Sequence, residues 1–287
     1  MSGTEMIQDP RWLEDRYLIK RTFRETFGRE LDLDNPRTLN EKIAYKILFD
    51  RRPLLTLISD KIRVRDYVAQ KVGPACLKRL YQVCRTSRQI DWQALPPSFV
   101  IKANHGSGMN AFVPDKSKAD PERLLPTVEG WLDINYYHAC RREWSYRDIV
   151  PSLLIEELLA DAREHVPTDY RFYVFDGLAA YLHVTFDRFS NPRSNFYERN
   201  LNRLNVRLLY PNNDGHVVFP ENIEDMFVLA DRLGHGLDFV RVDLYNIQGR
   251  IVFGELTNYP GAGLDRFHPP EYDGIIGARW RLPASYQ

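Results

Sequence analysis

Asp243 and Glu255 are the residues whose type and spacing first suggest chemistry in this chain. Residues 239–245 read Phe-Val-Arg-Val-Asp-Leu-Tyr, and after a turn residues 250–257 read Arg-Ile-Val-Phe-Gly-Glu-Leu-Thr. Alternation puts Val240, Val242 and Leu244 on one face of a strand and Arg241, Asp243 and Tyr245 on the other. On the partner strand Ile251, Phe253, Glu255 and Thr257 are expected to share a face. Pairing Asn246 with Arg250 around a three-residue loop, with Gly249 left-handed, brings the two acids to one side of the hairpin. Like charges so placed repel unless a cation lies between them. Mg²⁺ suits the position, because it takes oxygen ligands, commonly one or two carboxylates completed by nucleotide phosphates. A simple ion pair of either acid with Arg241 is the structural alternative.

A second stretch could handle phosphate. Residues 99–110 read Phe-Val-Ile-Lys-Ala-Asn-His-Gly-Ser-Gly-Met-Asn, a buried strand that ends in Lys102 and turns through glycines. Gly106 and Gly108 would let backbone N–H groups approach an anion, and Lys102 could add a point charge to it. The spacing is neither a Walker A loop nor a dinucleotide fingerprint. An ordinary hairpin turn with a solvated lysine is the alternative.

The elements that must position these groups follow from periodicity and punctuation. Apolar spacing predicts helices over 11–27, ending near Gly28, over 38–49 behind a Thr38-x-x-Glu41 capping box, and over 60–71 before Gly73-Pro74, with Pro53 interrupting between them. Short strands are predicted over 80–83 and 98–103, a helix over 121–133, and strands over 152–158, 170–175 and 178–186, the last two joined at Asp176-Gly177. Residues 188–220, rich in Asn, Arg and Pro, read as a long excursion. A helix over 221–234 then leads into the acidic hairpin. Helices first and mainly antiparallel strands later give an α+β architecture.

Composition narrows the partners. The chain has 287 residues, 44% hydrophobic and 13% aromatic, enough for a substantial core. Lys plus Arg and Asp plus Glu each number 39, so no global field recruits nucleic acid or an anionic membrane. Three cysteines and seven histidines fall at no metal-ligand spacing, which argues for a reducing compartment without a disulfide framework. The polar opening residues and the lack of an apolar run of about 20 residues lead to a cytoplasmic expectation without a transmembrane segment. Neither repeats nor low-complexity segments are evident.

The order of several motifs resembles that of ATP-grasp enzymes: Ser59-Asp60-Lys61, the Val-Ile-Lys strand with its glycine loop, Leu154-Ile155-Glu156-Glu157-Leu158-Leu159, Asp169-Tyr170-Arg171-Phe172-Tyr173-Val174, and the hairpin ending Gly254-Glu255-Leu256-Thr257. Asn35-Pro36-Arg37-Thr38-Leu39-Asn40-Glu41-Lys42-Ile43, Lys102-Ala103-Asn104-His105-Gly106-Ser107-Gly108, Arg142-Glu143-Trp144 and Phe253-Gly254-Glu255-Leu256-Thr257-Asn258-Tyr259-Pro260-Gly261 narrow this. They resemble the TupA-like ATP-grasp family, named for teichuronopeptide biosynthesis, over residues 35–268. The resemblance implies an ATP-grasp fold in which mainly antiparallel sheets enclose ATP and Mg²⁺. Lys61 and Lys102 would touch phosphates beneath a flap containing His105, Gly106, Ser107 and Gly108. Residues 155–158 would form the adenine hinge, with Glu156 or Glu157 reaching the base amine or ribose and Leu158 beside them. Arg171 would face the γ-phosphate or acyl phosphate, and Arg241 the developing charge. Asp243 and Glu255 would hold Mg²⁺, with Thr257 where many relatives carry a third ligand, Asn; Asn258 follows one residue later.

By the same resemblance, residues 1–75 form a helical amino-terminal region, 76–155 a small subdomain with the phosphate loop, and 156–287 a large subdomain with the Mg²⁺-binding hairpin. The acceptor-binding part is expected from segments 130–150 and 188–220. The implied activity is a carboxylate–amine ligase working through an acyl phosphate, with a saccharide or small-molecule carboxylate and an amine as substrates, in cell-envelope or extracellular polysaccharide modification. A kinase acting on a hydroxyl and a nucleotide-binding protein without turnover are the alternatives.

Overall fold

The computed structural model describes residues 10–159, 167–188 and 190–286. The polar residues 1–9 and residue 189 of the 188–220 excursion lie outside them. Helices α1 (Pro10–Phe27), α2 (Leu39–Phe49), α3 (Pro53–Ser59) and α4 (Val64–Val72) come first. At α2 the Thr38 side chain accepts from the Glu41 N–H while the Glu41 carboxylate accepts from Thr38 N–H, so two orphan donors of the first turn are satisfied. Pro53 does not interrupt a helix but opens one at its first turn, where a fixed φ and a missing N–H cost nothing. The helix expected from residue 60 begins at Val64. Asp60 accepts from the N–H groups of Ile62 and Arg63 at 2.8 and 3.3 Å, holding residues 61–63 as turns.

Two antiparallel sheets follow. The smaller has the order β1-β4-β2-β3, built from β1 (Leu80–Cys84), β2 (Phe99–Ala103), β3 (Asn110–Val113) and β4 (Leu153–Glu156), with helix α5 (Pro121–Trp131) between β3 and β4 in the chain. The larger has the order β7-β6-β5-β8-β9, from β5 (Asp169–Phe175), β6 (Leu178–Phe186), β7 (Arg193–Glu198), β8 (Phe239–Ile247) and β9 (Arg250–Thr257). β3 and β7 are additions to the sequence reading. β7 lies inside the expected excursion and pairs with β6 from Tyr181↔Glu198 to Phe186↔Arg193. Its Asn195 side chain donates to Asn213 O and accepts from Asn213 N–H, so a polar strand residue ties down the loop that hid the strand.

Helix α6 (Ile223–Gly234) covers one face of the large sheet. Met226, Phe227, Ala230 and Leu233 are buried there with Phe172, Val174, Val240, Val242 and Leu244. Each such side chain contributes about 1.5–3 kcal/mol on burial, and Phe227 meets Phe172 edge to face at 4.9 Å. Apolar residues on one face leave alternate positions free for polar groups on the other. The cross-strand row His183, Arg171, Asp243, Glu255 runs over four strands of that second face.

The acidic hairpin reaches this row by a route different from the expected one. Ile247 pairs with Arg250, and Gln248 and Gly249 form a two-residue turn with φ of +52° and +88°, the twist that suits a tight hairpin. Continued without interruption, that register would place Glu255 opposite Val242 and turn it to the apolar side. A bulge corrects it: Leu244 pairs with Phe253, Asp243 pairs with Glu255, and Gly254 is the extra residue between them. Ile251 and Phe253 therefore do not share a face with Glu255 and Thr257, and Phe253 joins the core with Leu244. A Cβ on Gly254 would lie 2.8 Å from the Asp243 carbonyl oxygen. Gly254→Ala is accordingly expected to lose about 1–3 kcal/mol by overpacking against backbone. Denaturant midpoints measure this, and an unchanged midpoint would show that the bulge tolerates a side chain.

Candidate active site

The polar face of the large sheet and one face of the small sheet enclose a cleft of about 400 Å³. From the small-sheet side come Lys78, Lys102, Glu156, Ser107, Gly108 and Asn110; from the large-sheet side come Asp169, Arg171, Arg241, Asp243, Tyr245 and Glu255. Lys61 and Tyr146 close it from the helical segments.

At the centre Arg241 forks onto Asp243, with Nε donating to Oδ1 at 2.7 Å and Nη2 to Oδ2 at 2.6 Å. The same Nη2 reaches Glu255 Oε1 at 3.2 Å and Thr257 Oγ1 at 3.1 Å. The guanidinium is thus the cation between the two acids. Burial pushes Asp243 upward, yet a group that cannot release its proton grips both oxygens, so the pair is ionised. Burial would also raise Glu255, but Arg241 and Lys61 outweigh it and hold the carboxyl at about 2. Thr257 Oγ1 donates to Glu255 Oε1 at 2.9 Å, which puts it in the acid cluster. Asn258 points elsewhere: its Nδ2 donates to Leu55 O and Ser59 Oγ, tying the end of β9 to α3.

Arg171 sits beside Asp243 in the row. Its Nη2 donates to Asp169 Oδ2 at 2.9 Å, while its buried Nε, 3.9 Å from Asp243 Oδ2, has no hydrogen-bond partner among the described residues. His183, next along, stacks on Phe196 at 4.3 Å, and its Nε2 has no hydrogen-bond partner among the described residues. Burial, with Arg171 and Arg241 adding repulsion, pushes its pKa well below the usual range and keeps it neutral. A buried donor without an acceptor, set in a cationic cleft, suits an anionic oxygen.

On the opposite wall Glu156 accepts from Lys78 Nζ at 2.6 Å and Lys102 Nζ at 2.7 Å, with Arg65 at 3.9 Å. It therefore organises lysines rather than presenting a free carboxylate to a base or ribose. Burial lowers Lys78 to about 8, the neighbouring Lys102 adding repulsion. Glu157 faces away from the cleft. It accepts from Arg79 N–H at 3.0 Å and from both terminal nitrogens of Arg250 at 2.8 and 3.1 Å, a clamp between β4 and the turn of the acidic hairpin. Leu158 follows it outside the lining.

In the glycine loop, Ser107 and Gly108 border the cleft and His105 does not. His105 is buried against Asn104 and the carbonyls of Trp131 and Ile134. Lys61 Nζ donates to Gly106 O, so this lysine currently holds the loop. The two glycines act differently. A Cβ on Gly106 would strike the Tyr136 ring, whereas Gly108 needs its freedom for a φ of +80°. Sequence reasoning missed Lys78 and Arg65 as members of the cleft and did not single out Asp169, Arg188 and Tyr146. Asp169 alternates with Arg171 on one strand, and Arg188 and Tyr146 lie in the 188–220 and 130–150 segments expected to bind the acceptor.

Chemically, the cluster Asp243, Glu255 and Thr257 offers only oxygen donors, which fits Mg²⁺. Among the described residues no three His, Cys, Asp or Glu side chains form a closed cage. A metal bound here would take its remaining ligands from phosphates and water, as Mg²⁺ commonly does.

The sequence model of the family described as TupA-like ATP-grasp matches residues 41–281. No curated protein matches the chain. Among solved structures, D-alanine–D-alanine ligase from Bacillus anthracis complexed with ATP is similar at 14% identity and a TM-score of 0.42, over 71% of this chain and 55% of that one. The corresponding ligase from Helicobacter pylori is similar at 14% identity and a TM-score of 0.44, over 85% of this chain and 68% of that one. The ATP-grasp ligase PsnB, complexed with a variant of its minimal precursor, Mg and ADP, gives 13% identity and a TM-score of 0.42, over 79% and 60%. The chain thus spans little more than half the length of the Bacillus anthracis ligase.

The Glu156 cluster gives a pH test. Burial raises this carboxyl, but Lys78 and Lys102 prevail and hold it at about 2, below its unfolded value of about 4.3. The stability it contributes is complete above the unfolded value and lost as pH falls toward 2. The full span is on the order of 3 kcal/mol. Unfolding free energies of the unmodified protein and Glu156→Gln should differ most near pH 6 and converge toward pH 2–3; a difference independent of pH would contradict the assignment.

Proposed function

The chain belongs to the TupA-like ATP-grasp family, and on that premise we propose that it is an ATP- and Mg²⁺-dependent ligase joining a carboxylate to an amine through an acyl phosphate. The observation that carries this reading is the concentration of fixed cations around one acid pair. Arg171 and Arg241 stand beside Asp243 and Glu255, with Lys61, Lys78 and Lys102 around the same cleft. Phosphorylating a carboxylate brings two anions together, and that demands positive charge more than a base. The carboxylates of the acid pair and of the opposite wall are themselves engaged by these cations. Asp243 is gripped by Arg241, and Glu156 by two lysines.

In this reading Lys78 and Lys102, held by Glu156, bind nucleotide phosphates, with Lys61 joining them when it leaves Gly106. Ser107 and Gly108 cover the phosphates, and the backbone of residues 155–158 meets the adenine. Mg²⁺, when bound by Asp243, Glu255 and Thr257, would neutralise phosphate oxygens and polarise the transferring group. Arg241 must then loosen from the acids, and its guanidinium becomes available to the oxyanion formed when the amine attacks. Arg171 Nε donates to the acyl or γ-phosphoryl oxygen. Domain boundaries near residues 75 and 155 place one sheet in each nucleotide-binding part. The family name supports an envelope-polysaccharide setting, with the carboxylate on a uronic acid and the reaction in the cytoplasm, where ATP is supplied.

Incubation with Mg-ATP, a panel of uronic acids and hydroxylamine should give ADP and a hydroxamate without any natural amine. Arg241→Ala should lower this turnover by about 10²–10³-fold while nucleotide still binds. ADP formed only with an alcohol acceptor, and never a hydroxamate, would favour the kinase alternative.

A further inference from the structure

Glu143 lies in a strained turn. Arg142 has a φ of +58°, uncommon for a residue with a side chain, and its N–H donates to Cys140 O at 2.8 Å. The turn is anchored on both sides. Arg141 Nη1 donates to Gly261 O at 2.7 Å, Arg142 Nη2 to Glu14 Oε1 at 2.9 Å, and Ser145 Oγ shares a hydrogen bond with Ser59 Oγ at 2.7 Å. What these anchors hold is a carboxylate only 8% exposed with neither a hydrogen bond nor an ion pair to any described residue. Arg141, two residues before it in the chain, is committed to a carbonyl instead.

Its turn borders the cleft: Glu143 O accepts from the Tyr146 N–H at 3.1 Å, and Tyr146 lines the cleft. Arg141 and Glu255 are the charged groups whose fields reach Glu143. The Tyr136, Tyr146 and Tyr259 hydroxyls also feel its charge. Tyr146 feels Glu143 and Glu255 together and itself lines the cleft, with Tyr136 packed edge-on at 4.9 Å. A nearly buried carboxylate with no cation or donor among the described residues, in the same turn as the cleft-lining Tyr146, has the chemistry of an ammonium site, because such a group is costly without a partner.

Building on the ligase reading, we infer that Glu143 receives the acceptor amine: it binds the incoming primary ammonium and takes the first proton from it. The amine lone pair then attacks the acyl carbon. The C–N bond forms as the C–O bond to phosphate breaks, and the second amine proton leaves with the phosphate. Glu143 returns its proton to solvent as the amide departs. Burial, with repulsion from Glu255 and against the pull of Arg141, raises the carboxyl to about 7, a value at which it can both accept and release a proton.

Hydroxylamine separates this role from the first half-reaction, because it is largely unprotonated at neutral pH and needs no base. With Mg-ATP and glucuronate, Glu143→Gln should form hydroxamate within about twofold of the unmodified rate. With the amino acid that gives the fastest ADP release, amide formation should fall by about 10²-fold or more, the amine KM should rise, and the ATP KM should hold. Thermal unfolding without ligands should be unchanged or higher, since an unsatisfied buried charge is removed. Amide formation at the unmodified rate, equal loss of hydroxamate and amide, or a marked drop in unfolding temperature would each overturn the assignment. An unmodified protein that yields neither product fails at the ligase reading itself, and this assignment falls with it.

Discussion

Everything in the cleft depends on the fork that Arg241 makes between Asp243 and Glu255. Two carboxylates face each other directly across a β-ladder, an arrangement a sheet tolerates only with a cation in place. In this structure the cation is a guanidinium, bonded at 2.6 and 2.7 Å. An oxygen cluster held by an arginine is a different resting state from an empty metal cage. It keeps the acids ionised and positioned, and in the proposed reading metal entry and the release of Arg241 would be one event. Asp243 and Glu255 reach that relation only because Gly254 bulges out of register. A single residue without a Cβ thus couples the geometry of the hairpin to the charge balance of the site.

The same logic governs the facing wall. Glu156 binds two lysines whose mutual repulsion would otherwise drive them apart, and Glu157 clamps the end of that strand to Arg250 at the acidic turn. Adjacent residues of an extended segment face opposite ways, so Glu156 organises the lysines of the cleft and Glu157 joins the two sheets. The cations the cleft offers to an anionic ligand are thereby held in place by acids.

Alternation alone gave the hairpin faces of β8, and the capping box fixed the start of α2; both follow from local rules that the tertiary structure does not override. Glycines in the loop after β2 and the acids on the hairpin made the outline of the cleft legible. The register was not. A two-residue turn with a bulge and a three-residue turn without one both bring Asp243 and Glu255 to one face, and only the packing of Phe253 into the core distinguishes them. Lys78 stayed hidden because nothing near it in sequence marks it; Tyr146 lay in a segment expected to bind the acceptor, and only the folding of distant segments shows which of its residues reach the cleft. β7 was obscured by polar residues that serve the loop beyond it. His105 was drawn to the phosphate flap by its neighbours, but its ring is spent on backbone carbonyls.

The central claim is that Asp243 and Glu255 exchange Arg241 for a divalent metal when nucleotide binds. Mn²⁺, a paramagnetic substitute for Mg²⁺, measures this directly: its binding can be followed by electron paramagnetic resonance with a non-hydrolysable ATP analogue present and absent. The account predicts nucleotide-dependent Mn²⁺ binding that is lost in both Asp243→Asn and Glu255→Gln. Undiminished Mn²⁺ binding in both variants, with nucleotide bound, would contradict it.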